Sequence, residues 1–153
     1  MICMQTKHDC GPVAISNFLE VTCGLPAEST YTYIKTFCKF PNKDNLLDDL
    51  WDSPARHRDV VQTLTSRPVK QRSKHEGPAV VLLKLGVLSY HWIVLLSSTS
   101  NSATWHDGRT YYTTTGVDSP PYGKVYMSYS FSGDKEFSFI WDVWLGITNL
   151  VVR

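Results

Sequence analysis

The spacing of apolar residues changes at Gly77, and that change constrains the fold more than any single motif. Before it, apolar positions recur with the helical period. Ala14, Ile15, Phe18, Leu19 and Thr22 mark one face of a helix that follows Cys10. Pro12 falls in its first turn, where a missing N–H costs nothing, and Asp9 stands where an N-cap is expected. Gly24 followed by Pro26 is a stop signal. Tyr33, Ile34, Phe37 and Cys38 predict a second helical face, ended by Pro41, and Leu46, Leu47, Leu50 and Trp51 a third. Ser53-Pro54 opens a fourth segment, which carries Val60, Val61 and Leu64 and closes before Pro68. The intervals differ and the remaining residues do not recur, so these helices are not a repeat array.

After Gly77 the pattern becomes that of strands. Ala79 to Leu85 is a short apolar run suited to a buried strand, and His91 to Leu96 (HWIVLL) is another. Alternating or aromatic-rich strands are expected at Ser102–His106, Thr110–Thr115, Val125–Ser130 and Phe137–Val143, with turns at Asp107-Gly108 and Ser132-Gly133-Asp134. Short linkers join them. The expectation is a single α+β domain over 1–153, with a helical half at 1–68 and an antiparallel sheet half at 77–153.

Composition narrows the function classes. A formal net charge of +1 gives no reason to expect a nucleic-acid or anionic-membrane partner. The basic residues Lys70, Arg72 and Lys74 read as a solvated loop. The most apolar stretch, Ala79 to Leu83, is broken by Lys84 and is too short to cross a bilayer. The N-terminus lacks the basic-then-apolar pattern of a signal peptide, so a soluble, cytoplasmic protein is expected. Cys3, Cys10, Cys23 and Cys38 all fall in the first quarter of the chain, and free thiols are expected. With no Cys-x-x-Cys or His-x-x-x-His pair, neither a metal nor a cofactor is expected.

Three places carry chemistry. The first is Gln5-Thr6-Lys7-His8-Asp9-Cys10-Gly11-Pro12. A cysteine at a helix start sits where unpaired N–H groups and the macrodipole favour the thiolate, which is the nucleophilic form. Gly11 leaves that sulfur unobstructed. The amide of Gln5, with the Cys10 N–H, can form an oxyanion hole. The second is His91, at the mouth of an apolar strand. The third is Asp107, at the end of the next strand, where its carboxylate can hydrogen-bond the imidazole and fix its tautomer. His106 is a competing base, but it precedes Asp107 directly and strand neighbours point to opposite faces. Asn101 is an alternative orienting residue, placed in a connection. Trp92, Trp105, Trp141 and Trp144 read as core and cleft walls, Cys23 and Cys38 as core, and Asp118, Asp134 and Asp142 as turn or surface carboxylates.

The segment QTKHDCGPVAISNFL, taken with HWIVLL and the later Asp107, resembles the papain-like cysteine peptidases that process double-glycine leader peptides, the bacteriocin-processing family. The resemblance runs from residue 5 to about 110. It implies a papain-like fold with Cys10 as nucleophile, His91 as general base and acid, Asp107 as orienting residue and Gln5 as oxyanion donor. It also implies a protein or peptide substrate. Gln5 stands one residue closer to the cysteine than the family usually places it, and Gly108 follows Asp107 where the family often has proline. The chain carries neither the membrane domain nor the ATP-binding loop of the transporter-linked members. The expected reaction is hydrolysis of a peptide or isopeptide bond through a thioester. The same residues can serve a transferase or deamidase, or persist in a catalytically silent binding module. A redox or metal role for Cys10 with His8 lacks a closely spaced resolving cysteine.

Overall fold

The computed structural model describes residues 1–6, 9–38, 53–72, 77–87 and 89–132. Over these residues the architecture is mixed: three helices pack against a six-stranded antiparallel sheet. The helices are α1 (Cys10–Cys23), α2 (Ala27–Phe37) and α3 (Pro54–Thr65). The strands are β1 (Val69–Arg72), β2 (Ala79–Lys84), β3 (Tyr90–Ser98), β4 (Ala103–His106), β5 (Tyr111–Thr114) and β6 (Lys124–Phe131). Their order in the sheet is β1-β6-β2-β3-β4-β5. The third expected helix, around Leu46–Trp51, and the strand at Phe137–Val143 lie outside the described residues, as do Trp141, Trp144, Asp134 and Asp142.

Each helix has a local cause. α1 ends where Gly24 turns left-handed (φ 70°) and its N–H bonds the Glu20 carbonyl. α3 begins at Ser53, whose hydroxyl accepts the Arg56 N–H, with Pro54 in the first turn. α2 turns differently from expectation. It buries Ala27, Thr30, Tyr31 and Ile34, while Tyr33 is 42% and Phe37 67% exposed. The aromatic residues at 33 and 37 pair with each other on the outer face, their ring centroids 5.0 Å apart. The i, i+3, i+4, i+7 row starting at Ala27 wins because it packs close against α1 with small residues at its start.

The sheet separates two apolar layers. On one face Val80, Leu82, Trp92, Val94, Met127 and Tyr129 meet Ile15, Phe18 and Leu19 of α1, with Ile34 and Val61 behind. On the other lie Ala79, Val81, Leu83, Ile93, Leu95 and Trp105, covered in part by Tyr112, Val117 and Tyr122. β2 is central and buried on both faces, which explains its unbroken run AVVLL. β1 corrects the expectation of a solvated loop at Lys70 and Arg72. These residues belong to a strand that lies at the edge of the sheet among the described residues, paired to β6 in register Lys70↔Ser130 and Arg72↔Ser128, and its first residue, Val69, is buried. Lysine and arginine on a sheet edge discourage pairing with a second chain.

Among the cysteines, Cys23 is exposed rather than core, and Cys38 is half-buried against the α1 layer. All four are free thiols. No helix among the described residues is long and apolar enough to cross a membrane.

Phe18 holds α1 to the sheet. It is fully buried and packs edge-on to Tyr129 at 6.1 Å and against Phe131 at 5.2 Å. Phe18→Ala is expected to lower the unfolding free energy by about 3–5 kcal/mol. Urea unfolding followed by tryptophan fluorescence measures it, and a loss below about 1 kcal/mol would refute this account of α1.

Candidate active site

Cys10 is the first residue of α1 and is half-buried against the layer that contains Trp92. The first helical hydrogen bond runs from Val13 N–H to the Asp9 carbonyl at 3.0 Å. The dipole of α1 places partial positive charge at this end, and that field favours an anion at the sulfur. Pro12 contributes no N–H, so Cys10 and Gly11 are the first-turn residues able to supply one.

Asp9 occupies the expected N-cap position but does not cap. Its side chain makes no cap bond to the helix. It turns backward instead: Oδ2 accepts the N–H of Gln5 at 2.9 Å, the N–H of Thr6 at 3.3 Å and the hydroxyl of Tyr31 at 2.7 Å. Three donors converging from behind outcompete the single cap bond. Burial, with the bond to Asp9 and its charge, pushes the Tyr31 hydroxyl well above its ordinary pKa, so it remains a donor across the working pH range. Gln5 is exposed and its backbone N–H is committed to Asp9. Any part it plays toward an oxyanion falls to its side-chain amide.

His91 is the second residue of β3, paired across to Leu83. Its Nε2 lies 2.9 Å from the backbone carbonyl of Asp107. A carbonyl only accepts, so Nε2 carries the hydrogen and Nδ1 is the basic nitrogen of the neutral ring. The Asp107 carboxylate makes different bonds from those expected. Oδ1 accepts the N–H groups of Arg109 and Thr110, both at 2.9 Å, and Oδ2 accepts the Tyr122 hydroxyl at 3.0 Å. An aspartate at a turn captures its own downstream N–H groups, and this leaves the main chain to orient the imidazole. Burial alone would raise the Asp107 pKa. The bonds from Thr110, Arg109 and Tyr122, together with the charge of His91, outweigh it and hold the carboxyl below its usual range. An anion therefore sits beside the ring.

Tyr122 went unnoticed in the sequence. It stacks on His91 with centroids 6.3 Å apart and planes 29° apart, while its hydroxyl holds Asp107. Gly123 makes this possible. It has φ 65°, and a Cβ there would fall 2.7 Å from the Lys84 carbonyl. The start of β6 thus lies flush on the end of β2 and presents Tyr122 to the imidazole. The segment Pro120-Pro121-Tyr122-Gly123, an aromatic framed by turn residues, was the available signal.

The N-terminal segment joins the two parts of the site. Met4 N–H bonds the Gly108 carbonyl at 2.7 Å, and Asn17 of α1 bonds both the N–H and the carbonyl of Ile2. Val13 lies 3.8 Å from the position a Gly108 Cβ would take. The 107–108 turn therefore links the imidazole of His91 to the segment that precedes Cys10. Strand alternation starts at His91 the row that continues through Ile93 and Leu95, on the face away from α1. An imidazole on that row can reach a thiol on α1 only around the end of β3, not across a sheet face. His106 belongs to the α1 face. It is buried, accepts the Gly108 N–H at Nδ1 (3.2 Å) and lies 3.5 Å from the Asn17 amide. Burial lowers its pKa. It is a structural histidine that seats the turn. Asn101 lies exposed in the β3–β4 turn, away from the imidazole's own bonds. Asp118 is likewise exposed, in the β5–β6 connection. No group of three or more histidine, cysteine or acidic side chains among the described residues is arranged to hold a metal.

Comparison of the chain with protein-family models, characterised proteins and solved structures gives no match.

Two outcomes follow from this geometry. Gly108 has φ 88°, and a Cβ there would lie 2.9 Å from Met4 Cγ. Gly108→Ala is expected to cost about 1–2 kcal/mol from the left-handed backbone alone. It should also increase hydrogen exchange at Met4 N–H; unchanged exchange would mean that the segment does not depend on this turn. His106 has a depressed folded pKa, so its contribution is present above the unfolded value, near 6.5, and is lost as pH falls toward the folded pKa. Stability should decline as pH is lowered below about 6.5, and His106→Gln should flatten that part of the profile in urea titrations.

Proposed function

We propose that this chain is a papain-like thiol hydrolase acting on a peptide or isopeptide bond of a protein or peptide substrate. Cys10 is the nucleophile, His91 Nδ1 the base and then the acid, and Asp107 the group that orients the ring through its carbonyl. The observation that carries this reading is the linkage of a helix-start cysteine to a strand-start histidine through one turn. The Asp107 carbonyl takes the imidazole and the adjacent Gly108 carbonyl takes Met4, six residues before the thiol. In the reaction the thiolate attacks the carbonyl carbon, and N–H groups at the α1 start and the Gln5 amide receive the oxyanion. His91 then protonates the leaving amine, and water releases the thioester.

A second reading has its own support. His91 begins the row facing away from α1, as a retained but silent site would allow, and the domain would then act as a binding module. A transferase or deamidase would share the acyl-enzyme and differ in the acceptor, so mass analysis of the product tells those apart from a hydrolase.

Thiol reactivity decides between catalyst and module. Iodoacetamide at pH 6 labels an ordinary thiol slowly, because its pKa is about 8.5. Fast labelling confined to Cys10 and lost in His91→Ala is expected. Slow, even labelling of Cys3, Cys10, Cys23 and Cys38 would leave the binding module as the better account.

A further inference from the structure

Asp9 is completely buried one residue before the nucleophile, yet its Oδ1 has no hydrogen-bond partner among the described residues. An orphaned buried carboxylate oxygen costs stability, so its bonds on the other side need a reason beyond folding. Those bonds all act on one short segment. Oδ2 gathers the N–H groups of Gln5 and Thr6 into a turn, and the Tyr31 hydroxyl on α2 holds the carboxylate from behind. The helix itself gains no cap from this residue. Gln5 is otherwise at the surface, and its backbone N–H bond to Asp9 is what fixes its place relative to Cys10.

We propose that the Asp9–Tyr31 pair is the positioning device of the oxyanion site: it holds the Gln5 turn near the start of α1 so that the side-chain amide can reach the oxygen that develops at Cys10. This rests on the thiol-hydrolase reading. Neither residue touches substrate. Asp9 acts through Gln5, and Tyr31 acts through Asp9. The arrangement also explains why the Gln5 spacing can be one residue short, because the turn is drawn in by a side chain rather than by chain length.

Two probes of the full chain separate this role from others. Iodoacetamide alkylates Cys10 by displacement at carbon and develops no oxyanion. p-Nitrophenyl acetate does develop one: the sulfur attacks the ester carbonyl, the carbonyl electrons move to oxygen, and collapse expels p-nitrophenolate. The acetyl group is left as a thioester on Cys10, and the thiol proton on His91. Tyr31→Phe is expected to slow p-nitrophenolate release at least ~10-fold, toward the larger losses seen when an oxyanion donor is deleted outright. Its alkylation at pH 6 should stay within about twofold of wild type, since the thiol and imidazole are untouched. Gln5→Ala should show the same split, and Tyr31→Phe should add little on top of it, as expected for residues acting through one another. Asp9→Asn provides a second route to the same loss if Tyr31→Phe loosens α2. Release at the wild-type rate in both Tyr31→Phe and Asp9→Asn would overturn the proposal, as would equal losses in the two probes or full additivity with Gln5→Ala. Slow alkylation of Cys10 in wild type would instead remove the hydrolase reading itself, before any variant is compared.

Discussion

Two adjacent backbone carbonyls, those of Asp107 and Gly108, carry the organisation of this molecule's working end. One takes the imidazole of His91 and the other the N–H of Met4. Their divergence requires the left-handed backbone at Gly108, and the buried His106 underneath accepts the Gly108 N–H. The Asp107 carboxylate closes the same turn from the side, using Arg109 and Thr110. A turn so heavily bonded is rigid, and the groups hung on it inherit that rigidity. The helix carrying Cys10 comes into register with the sheet because the N-terminal segment is tied to this turn at Met4 and to α1 at Asn17.

The residues that were readable in advance are those whose signal is local. Cys10 at a helix start, Gly24 as a stop, Ser53-Pro54 as an opening and the apolar strands at Ala79 and His91 all follow from spacing and from the chemistry of one or two neighbours. The residues that were not readable depend on partners far along the chain. Asp9 looked like a cap because caps are local. Its carboxylate instead turns back to Gln5 and Thr6 and across to Tyr31 on another helix. Of the expected α2 face, Ile34 and Cys38 do pack inward, but Tyr33 and Phe37 do not: aromatic side chains resemble core, and nothing nearby reveals that these two pair with each other outside. β1 is short, polar and charged, and only its pairing with β6 makes it a strand. Tyr122 reaches His91 because Gly123 lets two backbones touch, a contact between segments some forty residues apart. The bonds of Asp107 were misassigned for the opposite reason: the carboxylate satisfies its own turn, and the longer-range role passes to its carbonyl.

The division of labour at Asp107 bears on how the site would work. An imidazole oriented by a carbonyl keeps its tautomer without sharing a proton with an acid, and a carboxylate already saturated by three donors is a fixed negative charge rather than a proton acceptor. Stabilisation of an imidazolium is then electrostatic, with Tyr122 limiting solvent on one face of the ring. Asp9 and Asp107 are thus held alike, each carboxylate accepting two backbone N–H groups and one tyrosine hydroxyl.

The strand order has a consequence for how the chain matures. β1 and β2 are neighbours in sequence but not in the sheet, because β6 lies between them. As the polypeptide emerges from the ribosome, α1 and the β2–β5 meander can collapse onto each other, yet a slot beside β2 stays open until residues 124–131 arrive to fill it. The same late strand begins next to Tyr122. The imidazole therefore gains its neighbouring ring only when this strand joins the sheet, and the candidate site stays incomplete until residues 122–131 are in place.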